Sequence, residues 1–135
     1  MYKFENIIRV RYGETDRMGY VYNGNYASYF EVGRAESLRN LGISYKKIED
    51  EGFALPVRDM KMRFFKPAYY DEALKIVTTV REKPGIRICF EYEIFNESQA
   101  LLTKGDTTLV FVNKKTGKPD QPPAYVIRAF EPFFD

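Results

Sequence analysis

The chemistry-bearing residues of this 135-residue chain gather in one stretch, Arg11-Tyr12-Gly13-Glu14-Thr15-Asp16-Arg17-Met18-Gly19-Tyr20-Val21-Tyr22-Asn23-Gly24-Asn25-Tyr26. It holds two carboxylates (Glu14, Asp16), a hydroxyl (Thr15), two amides (Asn23, Asn25) and several phenols, among them Tyr22 and Tyr26. A helical pattern begins at about Asn25, and the first N–H groups of a helix have no partner within it, so they favour developing negative charge. A carboxylate a few residues ahead of such an end can act on an electrophile whose oxygen those amides hold, which is a workable arrangement for acyl transfer. The sequence has no histidine and one cysteine, Cys89. That excludes Ser-His-Asp and Cys-His machinery, His-ligated metals, and cysteine-rich zinc or iron–sulfur sites. Catalysis would have to come from carboxylates, hydroxyls, amides, Lys, Arg or backbone dipoles, with no cofactor or metal called for. On the bare residues alone, a turn or N-cap role is the better reading of Asp16, with catalysis the alternative.

The elements that must position this stretch follow from periodicity. A strand is expected over Phe4–Tyr12, with Phe4, Ile8, Val10 and Tyr12 on one face and Ile7, Arg9 and Arg11 on the other. Tyr26, Tyr29, Phe30, Gly33, Leu38 and Leu41 share a broad apolar face of a helix over about 25–41, closed by Gly42. Ser44 opens a second, short helix that runs to about Asp50. Period-two patterns then follow over Leu55–Lys66, about Leu74–Val80, Ile86–Ile94 and Ala100–Val112, separated by Pro84-Gly85 and Asn96–Gln99, and a last short helix is expected around Ala124–Phe130. Long strands joined by short turns make an antiparallel sheet, and the long helix is the one element large enough to cover its apolar face. The expectation is one α+β domain over residues 1–135. Gly33 and Gly105 either permit close backbone approach or, for Gly105, mark a bulge.

Composition bounds the class. A hydrophobic fraction of 44%, with 11 Tyr and 11 Phe, excludes a disordered linker. The balance of 21 basic against 19 acidic residues is too even for bulk nucleic-acid binding. No apolar run reaches the roughly 18 residues of a membrane span. The lone cysteine and the absence of an apolar segment at Met1–Asn6 lead to the expectation of a cytoplasmic protein.

The stretch Tyr12–Glu36, with Thr15-Asp16, Met18-Gly19, Val21, Asn25-Tyr26, Tyr29-Phe30-Glu31 and Arg34, resembles the signature of the 4-hydroxybenzoyl-CoA thioesterase family of hotdog-fold proteins. Lys66-Pro67-Ala68-Tyr69-Tyr70-Asp71 resembles that family's turn before its third strand, and Pro119–Pro123 its proline segment after the last strand. The resemblance implies a hotdog fold, a five-stranded antiparallel sheet wrapped around a long central helix. It implies hydrolysis of an acyl-CoA thioester, with Asp16 as nucleophile or general base and the carbonyl held near the backbone amides of Asn23 and Gly24. It implies a homodimer or homotetramer with active sites between subunits, the acyl pocket lined in part by Val57, Arg58 and Met60 of the partner. Asn23 stands where many relatives carry a histidine; it orients by hydrogen bonding but cannot shuttle a proton near neutral pH. An acyl-carrier-protein thioesterase and a non-catalytic acyl-CoA-binding protein are the alternative readings.

Around that core, Tyr22 and Tyr26 are packing residues or line the acyl pocket, and Asn23 and Asn25 are helix caps or substrate contacts. Glu14 reads as structural or solvated, and Glu31 with Arg34, at i,i+3 spacing, as an ion pair. Lys61, Arg63, Lys66, Lys83 and Arg87 are candidates for CoA phosphate, against the alternative of a plain charged face. Phe65, apolar beside Lys61 and Arg63, hints at a subunit contact. Cys89 has no neighbour that completes a catalytic pair.

Overall fold

The computed structural model describes residues 1–135. In chain order the elements are β1 (Tyr2–Arg9), a 3-10 turn (Tyr12–Glu14), α1 (Asn25–Asn40), α2 (Tyr45–Asp50), β2 (Phe53–Ala54), β3 (Val57–Phe64), β4 (Ala73–Val80), β5 (Arg87–Phe95), β6 (Leu101–Val110), β7 (Val112–Asn113), β8 (Lys118–Pro119) and α3 (Ala124–Phe130), followed by a 3-10 turn (Glu131–Phe133). Five strands form one sheet in the order β1-β4-β5-β6-β3, with every pairing antiparallel. The short strands β2, β7 and β8 form a second, small sheet. The chain is therefore α+β, as its periodicities require.

Three strand boundaries differ from the periodic reading. β1 ends at Arg9 rather than Tyr12, because Glu14 captures both backbone groups of Arg11. The Arg11 N–H donates to the Glu14 carboxylate at 2.8 Å, and the Arg11 carbonyl accepts the Glu14 N–H at 3.0 Å. The strand expected over 55–66 is β3, which begins only at Val57, after Pro56, whose missing N–H cannot join a ladder; Phe53 and Ala54, just ahead of it, form β2 in the small sheet. Likewise β6 leaves the large sheet after Val110, and Val112–Asn113 pair with β2 and β8.

The buried stripe of α1 is Tyr26, Tyr29, Phe30, Gly33, Arg34, Ser37 and Leu38, a spacing of three and four throughout. It faces Ile88, Phe90, Tyr92 and Ile94 of β5 and Leu74 and Ile76 of β4, all essentially inaccessible. Phe30 stacks on Tyr92 with ring centroids 4.3 Å apart and planes within 5°. The contact is possible because two positions lack a Cβ. One built on Gly33 would lie 2.7 Å from Thr78 Oγ1 and 2.9 Å from Ile76 Cγ2. One built on Gly105 would lie 2.5 Å from the Phe30 ring and 2.6 Å from the Lys61 carbonyl. Gly105 sits in unbroken register between Met62 and Tyr92, so it serves close approach and not a bulge.

The expected Glu31–Arg34 pair does not form. Glu31 lies on the exposed side of α1, while Arg34 is turned inward and only 6% exposed. Its Nε donates to the Tyr45 hydroxyl at 3.0 Å, and its Nη1 has no partner. Burial pushes the nearby Tyr92 phenol up to about 12, against the opposing pull of the Arg34 charge. Tyr92 shares a 2.6 Å hydrogen bond with Thr107. One turn of helix thus tolerates a buried cation because phenols, not carboxylates, receive it.

Replacing Gly105 by Ala is expected to cost about 1–3 kcal/mol by overpacking, because backbone lies on one side of the new methyl and a stacked ring on the other. Urea denaturation checks this, and a wild-type midpoint would contradict it.

Candidate active site

Three segments converge to build the site. The loop from Thr15 to Val21 is a miniature hairpin closed by a bridge between those two residues. Its tip turns at Asp16–Gly19, where the Gly19 N–H donates to the Asp16 carbonyl at 3.0 Å and Gly19 takes φ +83°, a left-handed value suited to glycine. Residues 66–71 pack behind it. Val21 N–H donates to the Ala68 carbonyl at 2.9 Å, Tyr20 bridges to Tyr69, and the rings of Tyr20 and Tyr69 meet edge-on at 5.3 Å. The third segment is the first turn of α1.

Asp16 is exposed on this hairpin. Its Oδ1 accepts the N–H groups of Met18 at 2.9 Å and Tyr20 at 3.2 Å, which orients the carboxylate, and Oδ2 has no partner within the chain. The turn role open to Asp16 from sequence is thus present, and it leaves one oxygen free. At the helix start, Gly24 is the N-cap with φ −62° and ψ −22°, and no side chain caps the helix. The Asn25 and Tyr26 N–H groups bond back to the carbonyls of Tyr22 and Asn23, whereas the N–H groups of Asn23 and Gly24 donate to nothing in the chain. Both residues are exposed. Two free, solvent-facing amides at a helix N-terminus form an anion-favouring end.

The tyrosines divide. Tyr22 is exposed, with its ring lying over Gly24, so that a Cβ on that glycine would be 2.7 Å from the ring. Tyr26 is buried and packs against Tyr29 at 5.6 Å and Phe64 at 5.1 Å. Asn23 makes no side-chain bond within the chain, and Asn25 is not a cap: its Nδ2 reaches the Glu14 carbonyl at 2.8 Å.

Val57, Arg58 and Met60 lie on β3, an edge strand exposed along almost its whole length. Phe64, at the end of β3, touches Tyr26 of α1 and so connects that free edge to the site. The candidate phosphate residues do not assemble. Lys61 and Arg63 line a cavity of about 650 Å³ on the outer sheet face with Lys104, Arg81, Glu91 and Asp106, but neither Lys83 nor Arg87 borders it. No residue of the 11–26 segment borders it either.

The residue whose place the sequence reading least anticipated is Glu14. Its carboxylate accepts the Arg11 N–H, the Tyr29 hydroxyl at 3.0 Å, and Arg11 Nε and Nη2 at 3.2 and 3.1 Å. The Arg11 partner is local, at i,i+3, whereas the Tyr29 partner lies 15 residues on, where no local spacing rule reaches it. Burial works to raise the Glu14 carboxyl, but the donors from Arg11 and Tyr29 outweigh it and hold it below its usual range. The Tyr29 phenol is pushed up by burial and then by Glu14, so it stays protonated and donates.

A sequence profile described as the thioesterase-like superfamily matches residues 10–130. The chain belongs to this superfamily. It is 36% identical over 114 residues to YneP of Bacillus subtilis, covering 84% of this chain and 83% of that one. To the acyl-CoA thioester hydrolase YbgC of Escherichia coli it is 31% identical over 124 residues, 92% of each chain. Among solved structures, the DHNA-CoA thioesterase of Staphylococcus aureus is 40% identical and superposes with a TM-score of 0.85, over 90% of this chain and 81% of that one. Two of the segments that carry the resemblance, the one around Asp16 and the one around Ala68, are joined by the hydrogen bond from the Val21 N–H to the Ala68 carbonyl.

Because the folded Glu14 lies below its unfolded value of about 4.3, its contribution to stability is present above that pH and is lost as pH falls through the folded value. The melting temperature of the wild type should therefore fall more steeply than that of Glu14→Gln below about pH 4; parallel curves would contradict it.

Proposed function

We propose that the protein hydrolyses an acyl-CoA thioester to the free acid and CoA. The observation that carries this reading is the pairing of an oriented Asp16 carboxylate, one oxygen free, with the two unpartnered amides of Asn23 and Gly24. The thioester carbonyl accepts from these amides. Asp16 either takes a proton from water as that water attacks the carbonyl carbon, or attacks directly to form a mixed anhydride that water then opens. The negative charge that gathers on the carbonyl oxygen is met by donors already in place, and collapse expels the CoA thiolate, which takes up a proton. Asn23 orients water or substrate and carries no proton itself. The activities for which the relatives are named support the same reaction class.

In this reading α1 is the helix that the hotdog sheet wraps, and the protein is a homo-oligomer. The exposed edge of β3 supports this. It presents unpaired backbone groups together with Val57, Met60 and Phe64, an arrangement that invites a second strand. Val57, Arg58 and Met60 then line the acyl pocket of the neighbouring copy, and Tyr22 over Gly24 borders the thioester. The location is read as cytoplasmic; no helix is long and apolar enough to cross a membrane.

Asp16→Asn is expected to lower kcat by about 10²–10⁴-fold with the fold and oligomer intact; full activity would sink the assignment. Gly24→Pro deletes one amide donor at a φ that proline accepts, and a loss of about 10²–10³-fold is expected. Gly24→Ala, which keeps the N–H, separates that loss from displacement of the Tyr22 ring. Sedimentation velocity should find a dimer or tetramer, and Met60→Glu should give an inactive monomer. A fully active monomer would refute the shared site.

A further inference from the structure

We infer that Glu14 is a positioning residue that sets the spacing between the Asp16 carboxylate and the amides of Asn23 and Gly24; the inference rests on the thioesterase reading above. Six donors converge on this one residue. Four reach its carboxylate: the Arg11 N–H, Arg11 Nε, Arg11 Nη2 and the Tyr29 hydroxyl. Two reach its carbonyl: the Tyr22 N–H at 2.9 Å and Asn25 Nδ2 at 2.8 Å. Tyr22 and Asn25 are the residues that bracket Asn23 and Gly24. Asp16 lies two residues beyond Glu14, across Thr15, which is itself pinned by its N–H and hydroxyl to the Tyr12 carbonyl. The carbonyl therefore holds both sides of the amide pair, and the carboxylate ties the same point to α1 through Tyr29.

Glu14 does not itself act on substrate. Both carboxylate oxygens are engaged by donors, and the side chain is only 14% exposed. Nor does the helix depend on it for its seat. α1 is fixed by Phe30 on Tyr92 and by Gly33 against Ile76 and Thr78, contacts remote in sequence from the loop. Loosening Glu14 should thus shift the loop and leave the helix in place. An ångström of misplacement is enough to cost catalysis heavily, because reacting atoms must stay in near-attack geometry.

The test is steady-state hydrolysis of one acyl-CoA by wild type, Glu14→Gln, Tyr29→Phe and the double variant, with thermal melts on the same samples. The expected result is a kcat loss of about 10- to 100-fold in Glu14→Gln and a smaller one in Tyr29→Phe. KM should stay within about twofold, the signature of an interaction that matters in the transition state only. The double variant should be no worse than Glu14→Gln, since both act through one joint. If Glu14→Gln does not fold, Tyr29→Phe decides alone, because it deletes one hydroxyl and keeps the ring packed. Unchanged kcat in the folded variants, or a lowered melting temperature with kcat retained, would make Glu14 merely structural and overturn the inference. A wild type that turns over no acyl-CoA would instead reject the thioesterase reading, and the positioning role would fall with it.

Discussion

The contact on which the rest depends is the close approach of α1 to the sheet. Phe30 can stack flat on Tyr92 only because Gly105 leaves room beneath the ring, and the helix backbone can settle near Ile76 and Thr78 only because Gly33 has no side chain. Protein interiors are packed densely enough that a single methyl at either place must displace a neighbour. That approach fixes where the N-terminus of α1 ends up, and with it the two amides at Asn23 and Gly24. The place of the proposed chemistry at one end of the helix is thus set by packing at its middle.

From that fixed point the site is assembled by hydrogen bonds rather than by burial. The hairpin that carries Asp16 is exposed, and its own turn holds one carboxylate oxygen while leaving the other free. Residues 66–71 support it from behind, and Glu14 ties it to α1. This division suits a site that must offer charge to a substrate. The same division leaves one side of the arrangement open, at Phe64 and the free edge of β3, where the proposed second copy would complete it.

Much of this was legible in the sequence, because much of it is periodic or local. The three-four spacing from Tyr26 to Leu38 announced α1, and the alternation from Ile86 to Ile94 announced β5 and its buried face. The crowded segment from Arg11 to Tyr26 marked the candidate site, and residues 66–71, which carry part of the resemblance, pack against it. What escaped depended on three-dimensional choices between equivalent local options. Arg34 could pair with Glu31 on the surface or with Tyr45 inside, and helix spacing alone does not distinguish them. Glu14 read as structural or solvated, and which of the two holds is decided by Tyr29, a partner beyond the reach of any local rule. The cations Lys61, Lys83 and Arg87 were grouped by charge and by the turn near them, but the strand register sets Lys61 opposite Asp106 and Arg87 opposite Val110, and Lys83 lies outside the strands.

The central claim is that an oriented carboxylate and two free helix amides suffice, without histidine, to cleave a thioester. The most direct measurement is release of free CoA thiol by the purified wild-type protein across a panel of aliphatic and aryl acyl-CoA substrates. The account predicts multiple turnovers on at least one member, with free acid and CoA formed in equal amounts. Tight binding of acyl-CoA with no release of thiol from any of them would contradict it.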